Sequence, residues 1–235
     1  MRIIFVRHGE PNYTLDCLTE EGKAQAQRAS ERLAGEGISE IYSSPCGRAR
    51  ETAEYTARML NLPVTVLEYM HEISWGGEDT PYDGHPWTLG DLMLQQGFDF
   101  YREDWRTHPY FAHNMALDYQ KKIAGEIDGF LREQGYIHEE RRYLCQTGEK
   151  KTIALFSHGG SGACALAHLL QLPFPYVCSA MPYDYTSLII LNFPVRNGKW
   201  VFPRIELYND TAHIRQTNRN PAIQQVSQNI LDENA

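Results

Sequence analysis

No apolar stretch in this sequence approaches the roughly 20 residues that a membrane-crossing helix needs, which argues against membrane insertion. Met1-Arg2-Ile3 leads at once into a short apolar run with the wrong flank for a signal peptide, so no leader is expected. Positive charge is scarce. Lys and Arg number 22 against 30 Asp and Glu, for a net charge of −8, and this balance disfavours nucleic acid and anionic membranes as partners. It leaves room for a small anionic ligand, because a local cationic pocket can sit in an acidic field. Cysteine is sparse and badly spaced for cross-links. Cys17, Cys46, Cys145, Cys164 and Cys178 are odd in number and form no CxxC pair, which argues against a disulfide framework or a structural zinc site. A reducing cytoplasm is the expected location, and Cys164, in Ala163-Cys164-Ala165-Leu166, reads as a core filler.

What is present suits one α/β domain over 1–235, with 42% hydrophobic residues and no internal repeat or low-complexity tract. The coarse order is strand 2–6, helix 19–34, strand 39–43, helix 46–60, strand 64–67, helix 115–134, strand 152–157, helix 160–171, strand 186–193 and strand 200–207. Thr19 is a good N-cap followed by Glu20 and Glu21, where the helix dipole favours acid. Ala49, Ala53, Thr56 and Leu60 form the stripe of a helix lying on a sheet. Strands alternating with helices imply parallel strands with right-handed crossovers. Residues 73–114 break this alternation and carry nine aromatics from Trp75 to Phe111. A solvated loop would not hold so many, so an inserted lid over about 76–114 is expected, with short helices near 88–96 and 99–106; a satellite core is the alternative. The polar segment 136–151 reads as an exposed loop or hairpin.

Four segments leave strands at the same sheet edge. Ile3-Ile4-Phe5-Val6 ends in Arg7-His8-Gly9, strand 39–43 in Ser43-Ser44-Pro45 and then Arg48, strand 64–67 in Glu72 a few residues on, and strand 152–157 in His158-Gly159-Gly160. Parallel sheets place their chemistry just past these ends. Two guanidiniums, two imidazoles, a carboxylate and a helix N-terminus around one point suit a phosphoryl group. One imidazole can attack phosphorus, the other can bind equatorial oxygens, and the carboxylic acid can protonate the departing alkoxide.

These residues carry a resemblance. Arg7-His8-Gly9-Glu10 resembles the RHG signature of the histidine phosphatase superfamily, also called phosphoglycerate mutase-like. In order along the chain, 18–26 resembles LTxxGxxQA, 43–53 resembles SSPxxRAxxTA, Glu72 to Gly76 resembles the ExxxG acid loop, and 157–160 resembles the second-histidine motif. The resemblance covers most of the chain outside 77–135. It implies a three-layer α/β sandwich with a mostly parallel central sheet flanked by helices, and His8 as nucleophile. It implies Arg7, Arg48 and His158 around the phosphate and Glu72 as proton donor, with Glu68 and Glu78 near enough to compete for that role. Gly159 would add a backbone amide. Family members often carry an asparagine shortly after RHG that touches phosphate; here Asn12 comes early and Thr14 stands where it would be expected.

The implied activity is a metal-independent phosphomonoesterase acting on a small phosphorylated metabolite through a phosphohistidine, with no cofactor. Rival signatures are missing: no Cys is followed six residues later by Arg, and neither GxxxxGK[ST] nor HExxH occurs. His108 and His113, with Pro109 between them, make a poor helical chelate. Two alternatives stand beside hydrolysis, a phosphoglycerate mutase-type transfer and a non-catalytic phospho-ligand binder. The stretch after Glu72 is acidic, which favours a phosphatase. Arg102 and Arg106 would favour a mutase if 99–106 were helical and the two shared a face. Tyr183, Tyr185 and His213 are further candidates to reach the pocket. The tail 214–235 is polar and could be surface helix or partner contact, and a homodimer is one candidate assembly.

Overall fold

The structure, a computed structural model, describes residues 1–77 and 86–214. The strands are β1 (Arg2–Arg7), β2 (Pro11–Asn12), β3 (Cys17–Leu18), β4 (Glu40–Ser43), β5 (Val64–Val66), β6 (Tyr136–Glu139), β7 (Arg142–Cys145), β8 (Thr152–Ser157), β9 (Leu188–Asn192), β10 (Lys199–Val201) and β11 (Arg204–Asp210). The helices are α1 (Glu20–Leu33), α2 (Gly47–Leu60), α3 (Pro86–Gln95), α4 (Met115–Glu133), α5 (Gly159–Leu170) and α6 (Phe174–Ala180).

Six strands form the central sheet in the order β11-β9-β1-β8-β4-β5. The pairs β1/β8, β8/β4 and β4/β5 are parallel, while β9 runs against both β1 and β11. Alternation along β1 builds the layers. Ile4 and Val6 pack with Leu33 of α1 and Ala53 and Ala57 of α2. Ile3 and Phe5 face the other way, into the core that contains Ile123 and Ile127 of α4 and Cys164 and Leu166 of α5. The result is the expected sandwich, with a mixed sheet between two helical layers. Residues 2–7 and 152–157 are nearly all buried because β1 and β8 lie in the middle of the sheet.

The register fixes where the chemistry lies. Arg7 pairs with Ser157, and Ser43 with Phe156, so the residues that follow emerge side by side. His8 N–H and Ser44 N–H extend the ladder by donating to the Ser157 and Phe156 carbonyls, each at 2.9 Å. Thr19 caps α1 as expected, its Oγ1 accepting from Gly22 N–H at 3.0 Å. The glycine after His8 is required by packing. A Cβ on Gly9 would lie 2.6 Å from the Gly22 carbonyl oxygen, so the first turn and α1 can approach only without side chains there.

Several expectations are corrected. Residues 99–106 are not a helix; only a 3₁₀ turn forms, at Trp105–Thr107. Asp99 Oδ1 accepts from Tyr101 N–H at 2.9 Å and Asp104 Oδ1 from Arg106 N–H at 3.1 Å, and such local turns compete with helix formation. The segment 136–151 opens with a hairpin, as one of its two readings had it, but Tyr136, Tyr143 and Cys145 are fully buried beneath it. β10 joins β7 and β6 in a separate three-stranded sheet. The expected strand 200–207 is two strands because Pro203, which has no N–H to donate, lies between β10 and β11. The helix α6 and the small β2/β3 pair went unforeseen. The aromatics of 86–114 are largely core: Trp105 and Phe111 are buried and pack around Phe174 of α6.

Candidate active site

The carboxyl ends of β1, β8 and β4 bring Arg7, His8, His158 and Arg48 together. His8 is buried, and its ring centroid lies 5.1 Å from that of His158. Its Nδ1 is 2.7 Å from the Gly9 carbonyl. A carbonyl only accepts, so Nδ1 carries the proton and Nε2 holds the lone pair. That lone pair accepts a long bond from Arg48 Nε–H at 3.3 Å. Burial, then Arg7, then Arg48 push the His8 imidazole well below its ordinary range, so it is neutral near pH 7.

His158 caps α5 and is fully buried. Ser44 Oγ accepts from Cys46 N–H at 3.2 Å and lies 2.7 Å from His158 Nε2. A Ser44 hydroxyl hydrogen donated to Nε2 is the arrangement that leaves Nδ1–H as the ring's own donor toward a bound anion. His158 Nδ1 and Arg7 Nε are both buried without a hydrogen-bond partner among the described residues. Burial, with His8 and Arg48 adding to it, pushes the His158 imidazole well below its ordinary range too.

Arg7 donates to the Tyr183 carbonyl at 2.7 Å, and its guanidinium carbon lies 4.4 Å from the centre of the Tyr185 ring. Arg48, in the first turn of α2, is buried and paired with Asp16 Oδ1, whose other oxygen accepts from Gly47 N–H at 2.6 Å. Burial alone would raise the Asp16 carboxyl, but the Gly47 amide and Arg48 outweigh it and hold it below its usual range.

Glu72 reaches the start of α5. Its Oε1 accepts from Ile73 N–H at 2.9 Å and Ser161 N–H at 3.0 Å, and its Oε2 from Gly160 N–H at 3.3 Å. The helix N-terminus thus holds the carboxylate, and of its first three amides only Gly159 N–H has no acceptor among the described residues. Trp75 and Trp87, 5.3 Å apart by ring centroids, press on Gly160 and Gly159. The competing Glu68 lies in a separate 3₁₀ turn, and Glu78 lies outside the described residues.

Asn12 Oδ1 is engaged locally. It accepts from Thr14 N–H at 3.1 Å and Leu15 N–H at 3.2 Å, which fixes the turn after β2. Tyr185 meets His8 at 5.6 Å between ring centroids. His213 is one step removed: its Nε2 is 3.1 Å from Thr186 Oγ1, and Thr186 N–H donates to the Arg7 carbonyl. Arg102 and Arg106 do not form a joint grip, since each pairs with an aspartate of its own turn, Asp99 and Asp104. Sequence reasoning missed Asp16 and the Ser44 contact to His158. Ser44 stood inside a quoted motif, whereas Asp16 had no local signal.

A "Probable phosphoglycerate mutase GpmB" from Proteus mirabilis is 32% identical over 91% of this chain and 95% of its own. The "Adenosylcobalamin/alpha-ribazole phosphatase" of Escherichia coli strain K12 is 24% identical over 74% of this chain and 81% of its own. The crystal structure of a phosphoserine phosphatase mutant from Entamoeba histolytica, in complex with phosphoserine, matches with a TM-score of 0.60 at 23% identity, over 91% of this chain and 98% of that one. The family description "Histidine phosphatase superfamily (branch 1)" matches residues 3–210. That span runs from β1 to β11 and includes both strand-end histidines, so the chain belongs to the histidine phosphatase superfamily, branch 1.

Proposed function

We propose that this protein is a phosphomonoesterase that hydrolyses a small phosphorylated metabolite through a phosphohistidine on His8. The observation that carries this reading is the state of His8: a neutral imidazole whose Nδ1–H is held by Gly9, with its Nε2 lone pair turned toward Arg48. Phosphoryl oxygens are stronger acceptors for a guanidinium than an imidazole is, so anion binding frees Nε2 for attack. Arg7 Nε, His158 Nδ1–H, Gly159 N–H and Arg48 supply donors around the three non-bridging oxygens. The Asn12 NH2 end is left over from its turn and is a further donor. The His8 Nε2–P bond forms as the P–O bond to the leaving group breaks, and Glu72, acting in its protonated form, gives the departing oxygen its proton. Water then attacks phosphorus as the His8 Nε2–P bond breaks, Glu72 recovers a proton from it, and inorganic phosphate leaves with His8 restored. The protein's positive charges neutralise the phosphoryl group, so the step needs no metal.

Relatives named for α-ribazole and phosphoserine phosphatases support a small soluble ester as substrate. Trp87, beside Gly159, supports reading the described part of the insertion, 86–114, as a cover over the site within one domain; 78–85 lie outside the described residues. All five cysteines are unpaired, which supports a reducing compartment and hence the cytoplasm. Among the described residues no single helix is long and apolar enough to cross a membrane.

Phosphoglycerate mutase-type transfer is the second reading, favoured by the mutase-named relative. The test is phosphate release from p-nitrophenyl phosphate, phosphoserine and 3-phosphoglycerate in EDTA, for wild type and His8→Ala. EDTA-resistant release that vanishes in His8→Ala is the expected result. Isomerisation of phosphoglycerate without release would transfer the assignment to the mutase, and neither activity would leave a binding protein.

A further inference from the structure

A second cluster of ionisable groups lies at the far end of α5. His168 is in the last turn of that helix, nine residues and roughly 14 Å along its axis from Gly159. Asp128 of α4 and His138 of β6 meet it there, and one ligand atom from each lies within 4.8 Å of the other two. Asp128 Oδ1 is 2.7 Å from His168 Nε2 and 3.0 Å from His138 Nδ1, while Oδ2 is 3.1 Å from His138 Nδ1. None of the three has a part in phosphoryl transfer.

We propose that Asp128, His138 and His168 form a binding site for a divalent transition metal, Zn²⁺ foremost, that clips the hairpin β6–β7 to α4 and α5. Two imidazoles and one carboxylate from three separate elements are a ligand set that zinc takes, with water in the fourth position. Zinc holds such atoms at about 2.0–2.2 Å, which places tetrahedral ligands roughly 3.3 Å apart. The two carboxylate contacts, at 2.7 and 3.0 Å, would open toward that spacing, and the two imidazole nitrogens, within 4.8 Å of each other, would settle to it.

The surroundings orient the set. His138 Nε2 lies 2.9 Å from the carbonyl of Glu140, which sits in the left-handed region at φ 54° in the hairpin turn. Without metal, the acceptor-only Asp128 carboxylate faces an Nδ1–H; a metal ion displaces that proton, and an Nε2–H donated to the Glu140 carbonyl then leaves the Nδ1 lone pair for the ion. Gln171 Nε2 is 3.1 Å from His138 Nε2 and donates one of its two N–H groups to the His168 carbonyl at 2.7 Å, so it ties His138 to the end of α5. The Tyr143 ring stacks on His138 at 4.7 Å and 15°, which fixes the imidazole plane. The three side chains are 12–27% exposed, so a metal ion and its water can reach them.

The test uses the whole chain stripped with a chelator and dialysed. Zn²⁺ is titrated calorimetrically, and Co²⁺ is followed by its visible d–d spectrum, in wild type, His138→Gln/His168→Gln and Asp128→Asn. The expected result is one Zn²⁺ per chain, a four-coordinate Co²⁺ spectrum and a zinc-dependent rise in melting temperature of roughly 5 °C. Affinity should fall at least ~100-fold in both variants, since losing a ligand outweighs the 10–100-fold that outer partners contribute. Ester hydrolysis in EDTA should be unchanged across all three proteins. Absence of stoichiometric binding to wild type at micromolar Zn²⁺ would overturn the proposal whatever the variants do. Equal binding by wild type and variants would place the metal elsewhere and overturn it too.

Discussion

Replacing Gly160 with alanine tests the placement of Glu72 without touching a charged group. A Cβ at this position would lie 2.6 Å from Glu72 Oε1, 2.7 Å from Ile73 Cγ1 and 2.8 Å from Trp75 Cζ2. Ordinary contact begins at 3.4 Å, so the carboxylate oxygen must retreat by about 0.8 Å. It then leaves the Gly160 and Ser161 amides that hold it. A displacement near 1 Å costs on the order of 100-fold in rate where geometry matters, within the 10²–10⁴-fold that a positioned acid contributes. Overpacking costs roughly 1–3 kcal/mol in stability, partly offset by about 1 kcal/mol from replacing glycine in a helix. The chain therefore stays folded while hydrolysis of an alkyl phosphate such as phosphoserine falls roughly 100-fold in kcat. p-Nitrophenolate leaves with little need of a proton, so p-nitrophenyl phosphate should lose less than about tenfold. The assay is phosphate release on both substrates with a melting curve as control. Equal loss on the two substrates, or no loss on either, would refute the assignment of Glu72 as the acid.

Ser44→Ala removes the hydroxyl that holds His158 Nε2 at 2.7 Å, frees the ring to change tautomer, and should lower kcat about 10–100-fold, with little change in KM. Asp16→Asn releases Arg48 from its ion pair and should raise KM for phosphate esters roughly tenfold, as steady-state kinetics would show. Stability should depend on pH through His8 and His158. Both are held well below 6.5 when folded, so the unfolded chain binds more protons below pH 6.5, and stability is full above that value and declines as pH falls beneath it. Each histidine adds a slope of about 1.4 kcal/mol per pH unit in that window. Urea midpoints between pH 7 and 5 should therefore fall less steeply in a His158→Gln variant.

Legibility in the sequence followed the range of the interactions. Arg7, His8 and His158 were readable because apolar runs announced buried strands, and parallel strands place the next residue at a common edge. Arg48 and Glu72 were readable because they follow the next two strands within a few residues. Asp16 was not, because its contact to Arg48 spans 32 residues with no periodic pattern to carry it. The triad of Asp128, His138 and His168 has the same character. Local chemistry misled at 99–106, where aspartate side chains close turns inside what looked like a helix face. Prolines masked α6, since Pro173 and Pro175 read as breakers although the first helical turn tolerates them.

The central claim is that His8 carries the phosphoryl group, and trapping the intermediate tests it most directly. Enzyme mixed with p-nitrophenyl phosphate, quenched in base and digested should yield a phosphoryl adduct on the peptide containing His8. The adduct should be stable to base, labile to acid and absent from His8→Ala. A phosphoryl group on any other residue, or steady hydrolysis by His8→Ala, would contradict the account.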